Sequence, residues 1–128
     1  MLYAYTAVIS ESDGTFYARV PDINGCITTA QSLPEAISLI TDALNLCLVV
    51  LEDEGIQPAP STPQNKIPHS PSDILTIIQA DTIKYRALTD TKAVRKNVSL
   101  PAWMSNLADK RGINCSKVLQ DALLAILS

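Results

Sequence analysis

The sequence predicts an α+β protein in two parts, a β-β-β-α-β body over residues 1–88 and a β-α-α tail over residues 89–128. Three observations carry this. Runs rich in aromatic and β-branched residues, separated by turn signals, occupy the chain up to Gln31. One long apolar stripe at helical spacing follows. Beyond Leu88 the charge reverses: residues 1–88 hold four Lys/Arg against ten Asp/Glu, a net charge of −6, whereas residues 89–128 hold six against three, a net of +3.

Tyr3–Ser10 reads as a strand, Ser12-Asp13-Gly14 as a turn and Thr15–Val20 as the returning strand of a hairpin. Pro21–Gly25 makes a second turn, and Cys26–Gln31 a short third strand. A helix of about 20 residues opens at Ser32, where a capping hydroxyl, Pro34 and Glu35 agree. Ile37, Ile40, Ala43, Leu44, Cys47, Leu48 and Leu51 form its core stripe, and Gly55 supplies its stop. Residues 56–72 contain five of the eight prolines and are a loop that cannot join a sheet. Ile74–Ala80 is a further apolar strand, followed by a short helical turn over Asp81–Leu88. Thr89-Asp90-Thr91 is the hinge to the tail.

In the tail, Arg95–Pro101 alternates: Val98 and Leu100 fall on one face, Arg95, Asn97 and Ser99 on the other. Pro101 ends this strand and suits the first turn of a helix over Ala102–Arg111, which carries Met104, Leu107 and Ala108 on one side. Gly112 ends that helix, and Asn114 caps a second one bearing Val118, Leu119, Ala122, Leu123 and Ile126. One strand and two short helices cannot bury this much apolar surface alone, and a lone strand leaves its backbone groups unpaired. Pairing with the same strand of a second chain answers both problems. Val98, Leu100, Met104, Leu107, Val118, Leu119, Ala122 and Leu123 then form the core of a homodimer. Arg95, Asn97 and Ser99 project outward in duplicate on a ribbon whose width fits the major groove. Asn114, Ser116 and Lys117, at the start of the second helix, are placed for backbone phosphates. Lys96, at the ribbon's end, is the fourth phosphate candidate.

Other chemistry is poorly provided for. Cys26, Cys47 and Cys115 match neither a disulfide framework nor a metal-ligand spacing and read as buried small hydrophobes. The single histidine, His69, lies in the proline-rich loop. Neither a metal nor an organic cofactor is expected. Two-metal hydrolysis of RNA needs clustered carboxylates; the Tyr3–Ser10 strand has none, and Asp22 and Asp73 flank their strands, so no enzyme activity is expected. No continuous apolar run reaches the roughly 20 residues of a membrane span, and Met1–Tyr5 carries no basic residue, which argues against a leader and for a cytoplasmic location.

Residues 92–128, with the strand ending Asn97-Val98-Ser99-Leu100-Pro101, the Gly112 break and the Asn114-Cys115-Ser116 helix entry, resemble a ribbon-helix-helix repressor domain. Residues 3–54 resemble the N-terminal domain of HicB-type antitoxins. The resemblance rests on the Asp13-Gly14 turn, the stretch from Tyr17 to Cys26 with its Val20-Pro21-Asp22 and Gly25-Cys26, and the helix start Ser32-Leu33-Pro34-Glu35-Ala36. It implies a partial ribonuclease-H-like N-terminal fold that binds a HicA-type toxin, a small ribonuclease of messenger RNA. It also implies a C-terminal domain that represses the operon at double-stranded operator DNA, and toxin binding can build a higher assembly. The acidic body suits a basic toxin, with Glu11, Asp13 and Asp22 as candidate contacts. The competing reading is a stand-alone ribbon-helix-helix repressor whose N-terminal domain senses a ligand.

Overall fold

In the computed structural model, which describes residues 1–128, the chain runs β1 (Leu2–Ser12), β2 (Thr15–Arg19), β3 (Ile27–Ala30), α1 (Leu33–Asp53), a 3₁₀ turn (Gln64–Lys66), β4 (Ile74–Asp81), α2 (Thr82–Thr89), α3 (Ala102–Lys110) and α4 (Cys115–Leu127). The strands form one antiparallel sheet in the order β3-β2-β1-β4. The β-β-β-α-β order is the expected one. β1 is longer than expected and takes Glu11 into its exposed end, while β3 is shorter, starting after Cys26.

Asp13 and Gly14 close the first hairpin in two residues, with Ser12 facing Thr15. Both have positive φ, 50° and 79°, as a primed hairpin turn requires, and Asp and Gly are the residues that tolerate it. α1 starts where Ser32 Oγ accepts from Glu35 N–H. It stops in a Schellman turn: Ile56 N–H donates to Leu51 C=O, Gly55 N–H to Glu52 C=O, and Gly55 has φ 70°.

The core lies between α1 and one face of the sheet. Ala36, Ile40, Leu44 and Leu48, four residues apart along α1, are fully buried against Tyr5, Ala7, Ile9, Ala18, Val20, Ala30, Ile78 and Ala80. Large side chains on the helix meet several alanines on the sheet, a pairing of large with small that lets the two layers pack closely. α1 has 21 residues and a window of mean hydropathy 1.6, long and apolar enough by composition to cross a membrane. In this fold one of its faces is the core of the body.

Because β4 runs antiparallel to β1, the chain must travel the length of the sheet between the end of α1 and the start of β4. Residues 56–72 make that journey, and four hydrogen bonds tie them down. Tyr5 Oη donates to Ala59 C=O, Thr62 donates from both N–H and Oγ1 to the Asp22 carboxylate at 2.8 and 2.6 Å, and Arg19 donates to Pro68 C=O. Ile67 is buried along the way.

At the other end of the sheet, Glu52 joins α1, β1 and α2. Its carboxylate accepts from Tyr3 Oη at 2.8 Å, Thr82 Oγ1 at 2.9 Å and Arg86 at 3.2 Å. Arg86 also pairs with Asp53. Burial works against the Glu52 charge, but the bonds from Tyr3, Thr82 and Arg86 outweigh it and hold the carboxyl below its ordinary range. Burial and the adjacent Glu52 push the Tyr3 hydroxyl up to about 12. A carboxyl depressed in the folded state stabilises it above the unfolded pKa and ceases to do so as pH falls through the folded one. Unfolding in urea should therefore show wild type losing more stability between about pH 6 and about pH 3 than Glu52→Gln does; equal losses would remove Glu52 from the acid response.

The cysteine expectation holds for one residue of three. Cys26 is buried, and burial with the neighbouring Cys47 raises its thiol to about 12. Cys47 is only half-buried, and Cys115 is exposed because α4 has nothing packed over its first turn.

Candidate functional site

The tail packs little onto the body; Leu127, at the end of α4, borders a groove with Met1, Tyr3 and Ile83. Residues 90–101 form neither helix nor strand in the single chain, and all are exposed. The strand expected over Arg95–Pro101 is therefore not formed here. The ladder bonds that define a strand must come from a neighbour, and this chain offers Arg95–Pro101 none. No residue of α3 or α4 is buried.

Local chemistry nevertheless fixes both helices. Pro101 leads into α3 with φ −55° and ψ 140°. α3 ends in a second Schellman turn: Ile113 N–H donates to Ala108 C=O, Gly112 N–H to Asp109 C=O, and Gly112 has φ 65°. Asn114 then caps α4, its side chain accepting from Lys117 N–H at 3.1 Å. The two helices touch only lightly, leaving Ser105, Ala108 and Leu119 half-covered.

The expected core side chains are consequently open to solvent. Val98 is 58% exposed, Leu100 46%, Met104 41%, Leu107 45%, Val118 55% and Leu123 42%. Ala122 is exposed as well. Trp103, Ile113, Leu124 and Ile126 add to this surface. Trp103, one turn before Leu107 on α3, escaped the sequence reading; its being the only tryptophan, two residues after the helix-opening Pro101, was the available signal. So large an apolar surface on so short a segment marks a contact site.

Arg95, Lys96, Asn97 and Ser99 are all exposed and carry no ion pair or side-chain hydrogen bond. Asn114, Ser116 and Lys117 share the first turn of α4. Lys117 Nζ pairs with Asp121 at 3.3 Å, but both side chains are well exposed, and such a pair is readily exchanged for another anion.

On the body, Glu11 and Asp13 stand exposed at the β1–β2 hairpin. Asp22 is elsewhere: its carboxylate is half-buried and holds the proline-rich loop through Thr62. It also borders a groove of about 500 Å³ lined by Ile23, Leu46, Val50, Ile56 and Pro58. No group of three or more His, Cys, Asp or Glu side chains is gathered to hold a metal ion.

Comparison with known proteins gives the geometry a context. A family described as HicB_like antitoxin of bacterial toxin-antitoxin system matches residues 5–125. No curated protein sequence matches. The fold is similar to a solved toxin-antitoxin complex from Streptococcus pneumoniae, with 18% identity, TM-score 0.61 and coverage of 98% of this chain and 99% of that one. It is also similar to the Burkholderia Pseudomallei antitoxin HicB, with 21% identity, TM-score 0.55 and coverage of 98% and 99%. A HicA3 and HicB3 toxin-antitoxin complex aligns at 21% identity and TM-score 0.51, over 62% of this chain and 99% of that one. At these identities the likeness is one of fold.

Proposed function

The chain belongs to the HicB-like antitoxins of bacterial toxin-antitoxin systems, and on that premise we propose that it neutralises a HicA-type toxin with its body and represses its own operon with its tail. The body, residues 1–88, is the toxin-binding part. The tail, residues 89–128, is a ribbon-helix-helix module completed by a second copy. Neither part is an enzyme in this reading, and the partial ribonuclease-H-like body serves as a binding surface.

The observation that carries the reading is the unburied apolar face of the tail, beside a strand sequence that has no partner in its own chain. A second copy supplies both at once. Arg95–Pro101 pairs antiparallel with itself, and Val98 and Leu100 turn onto the two pairs of helices. Arg95, Asn97 and Ser99 are then presented twice to base edges, Arg95 suited to guanine and Asn97 to adenine. Lys96, Lys117 and the first turn of α4 at Asn114 and Ser116 hold the phosphates. The net −6 of residues 1–88 steers the body to a basic ribonuclease and sets it in competition with RNA. Glu11, Asp13 and the groove beside Asp22 are the proposed toxin approach.

The test is co-expression of the full chain with the small protein encoded beside it. The reading expects co-purification and rescue of growth; a neighbour that is not toxic, or whose toxicity the chain leaves untouched, would overturn the antitoxin half and favour a stand-alone repressor. On operator DNA, Arg95→Ala or Asn97→Ala should each weaken binding by about 1–3 kcal/mol and relax specificity. Fluorescence anisotropy with operator and random duplexes checks this, and equal loss on both would exclude base reading by those side chains.

A further inference from the structure

Two of the three cysteines, which no spacing in the sequence pairs, meet in the fold. Cys26 closes the turn before β3: its C=O accepts from Val20 N–H and its N–H donates to Ile23 C=O. Its side chain is 1% exposed and belongs to the core cluster that holds Ile40, Leu44 and Leu48 of α1. Cys47 lies on α1 at the flank of that stripe and packs against the same cluster. The two thiols are close enough to share a hydrogen bond, although β3 and the larger part of α1 lie between them in the chain. They differ in access. Cys47 is half-buried and borders the groove of about 500 Å³ lined by Asp22, Ile23, Leu46 and Val50. Cys26 is buried and does not reach that lining.

We propose that Cys26 and Cys47 are a redox-sensitive pair, which a low-molecular-weight disulfide entering the groove closes into an intrachain bridge between the β2–β3 turn and α1. Cys47 is the entry thiol, because it borders the groove. As a thiolate it attacks one sulfur of the small disulfide; that S–S bond breaks, and the other half leaves as a thiolate. Cys26 then attacks the Cys47 sulfur of the mixed disulfide and expels the second half in the same way. Both protein thiols are oxidised, and the small disulfide is reduced to two thiols, which take up the two protons the cysteines lose. Cys26 cannot lead this sequence: burial and the neighbouring Cys47 push its thiol up to about 12, and it carries little thiolate. Once Cys47 is held in the mixed disulfide its share of that rise is gone, so the second step follows from the first. In a reducing compartment the pair stays open and closes only when oxidant accumulates. A bridge across a chain segment restricts the unfolded state. Oxidation therefore locks the seam between β3 and α1, and with it one wall of the groove.

The test uses the full-length chain carrying Cys115→Ser, so that the exposed third thiol cannot join copies. The folded chain is incubated with glutathione disulfide, its free thiols are alkylated, and its peptides are mapped by mass spectrometry without reduction. The expected result is a Cys26–Cys47 linked peptide as the main product, its loss on adding dithiothreitol, and a higher urea midpoint for the oxidised chain than for the reduced one. Adding Cys47→Ala should leave Cys26 reduced, and adding Cys26→Ala should halt the reaction at a mixed disulfide on Cys47. Circular dichroism certifies the fold of both variants, and the mapping of the parent chain stands without them. A parent chain that halts at the mixed disulfide, or that cross-links only after unfolding in urea, would overturn the pair. Undiminished oxidation of Cys26 in the Cys47→Ala chain would overturn the entry role of Cys47. A bridge that left the midpoint unchanged or lower would refute the lock.

Discussion

Leu123→Asp is expected to leave the body folded and abolish operator binding. Leu123 is 42% exposed in the single chain and makes no contact that the body needs. In the proposed dimer it enters the shared core with Leu119 and Val118. Burying a leucine contributes about 1.5–3 kcal/mol, and the two-fold axis makes the loss count twice per dimer. The new carboxylate adds the cost of a charge placed among apolar groups with no partner. Dissociation of the tail separates the two Arg95–Ser99 strands, and neither half alone forms a ribbon. Operator affinity should fall by about 100-fold or more, since a loss of roughly 3 kcal/mol already exceeds that factor. Thermal unfolding of the body should stay within a few degrees of wild type. Operator binding retained within a few-fold would contradict the role given to the tail's apolar face.

Leu44→Ala is expected to have the opposite profile. Leu44 is fully buried at the centre of the α1 stripe, between Ile40 and Leu48, and packs on the sheet. Truncating a buried leucine removes its transfer energy and leaves a cavity, costing about 2–5 kcal/mol. Rigid neighbours such as the β1 and β2 strands cannot collapse into the gap, so the upper half of that range applies. The body of a small domain has little more stability than this to lose. Urea denaturation followed by circular dichroism should show a much lower midpoint, and toxin binding should decline with the folded fraction. A midpoint near wild type would mean that the helix–sheet seam is not the main source of stability.

Much of this architecture could be read from residue pattern because its determinants are local. The Asp13-Gly14 turn, the Ser32 cap, Gly55 and Gly112 as helix stops and the Asn114 cap each act within a few residues, and each is found where the pattern put it. The bonds that hold residues 56–72 were invisible for the complementary reason. Tyr5, Arg19 and Asp22 reach partners about 40 to 54 positions away in the chain, and no periodicity records a meeting at that separation. The same applies to Glu52, which reads as a charge at a helix end and in fact gathers Tyr3, Thr82 and Arg86. In the tail the pattern was legible, but the structure of one chain leaves it unfinished. Alternation at Arg95–Leu100 states which face wants burial, while the burial itself needs atoms that this chain does not contribute. That Trp103 stands uncovered could be read only from the fold, since exposure depends on what is missing beside a residue.

Amide hydrogen exchange across residues 95–100 of the full-length chain addresses the joining of two tails most directly. Strand pairing between copies predicts slow exchange at alternate amides, lost in Leu123→Asp. Fast exchange at every one of these amides, in a sample concentrated enough to bind operator, would mean that no ribbon is built before DNA is met.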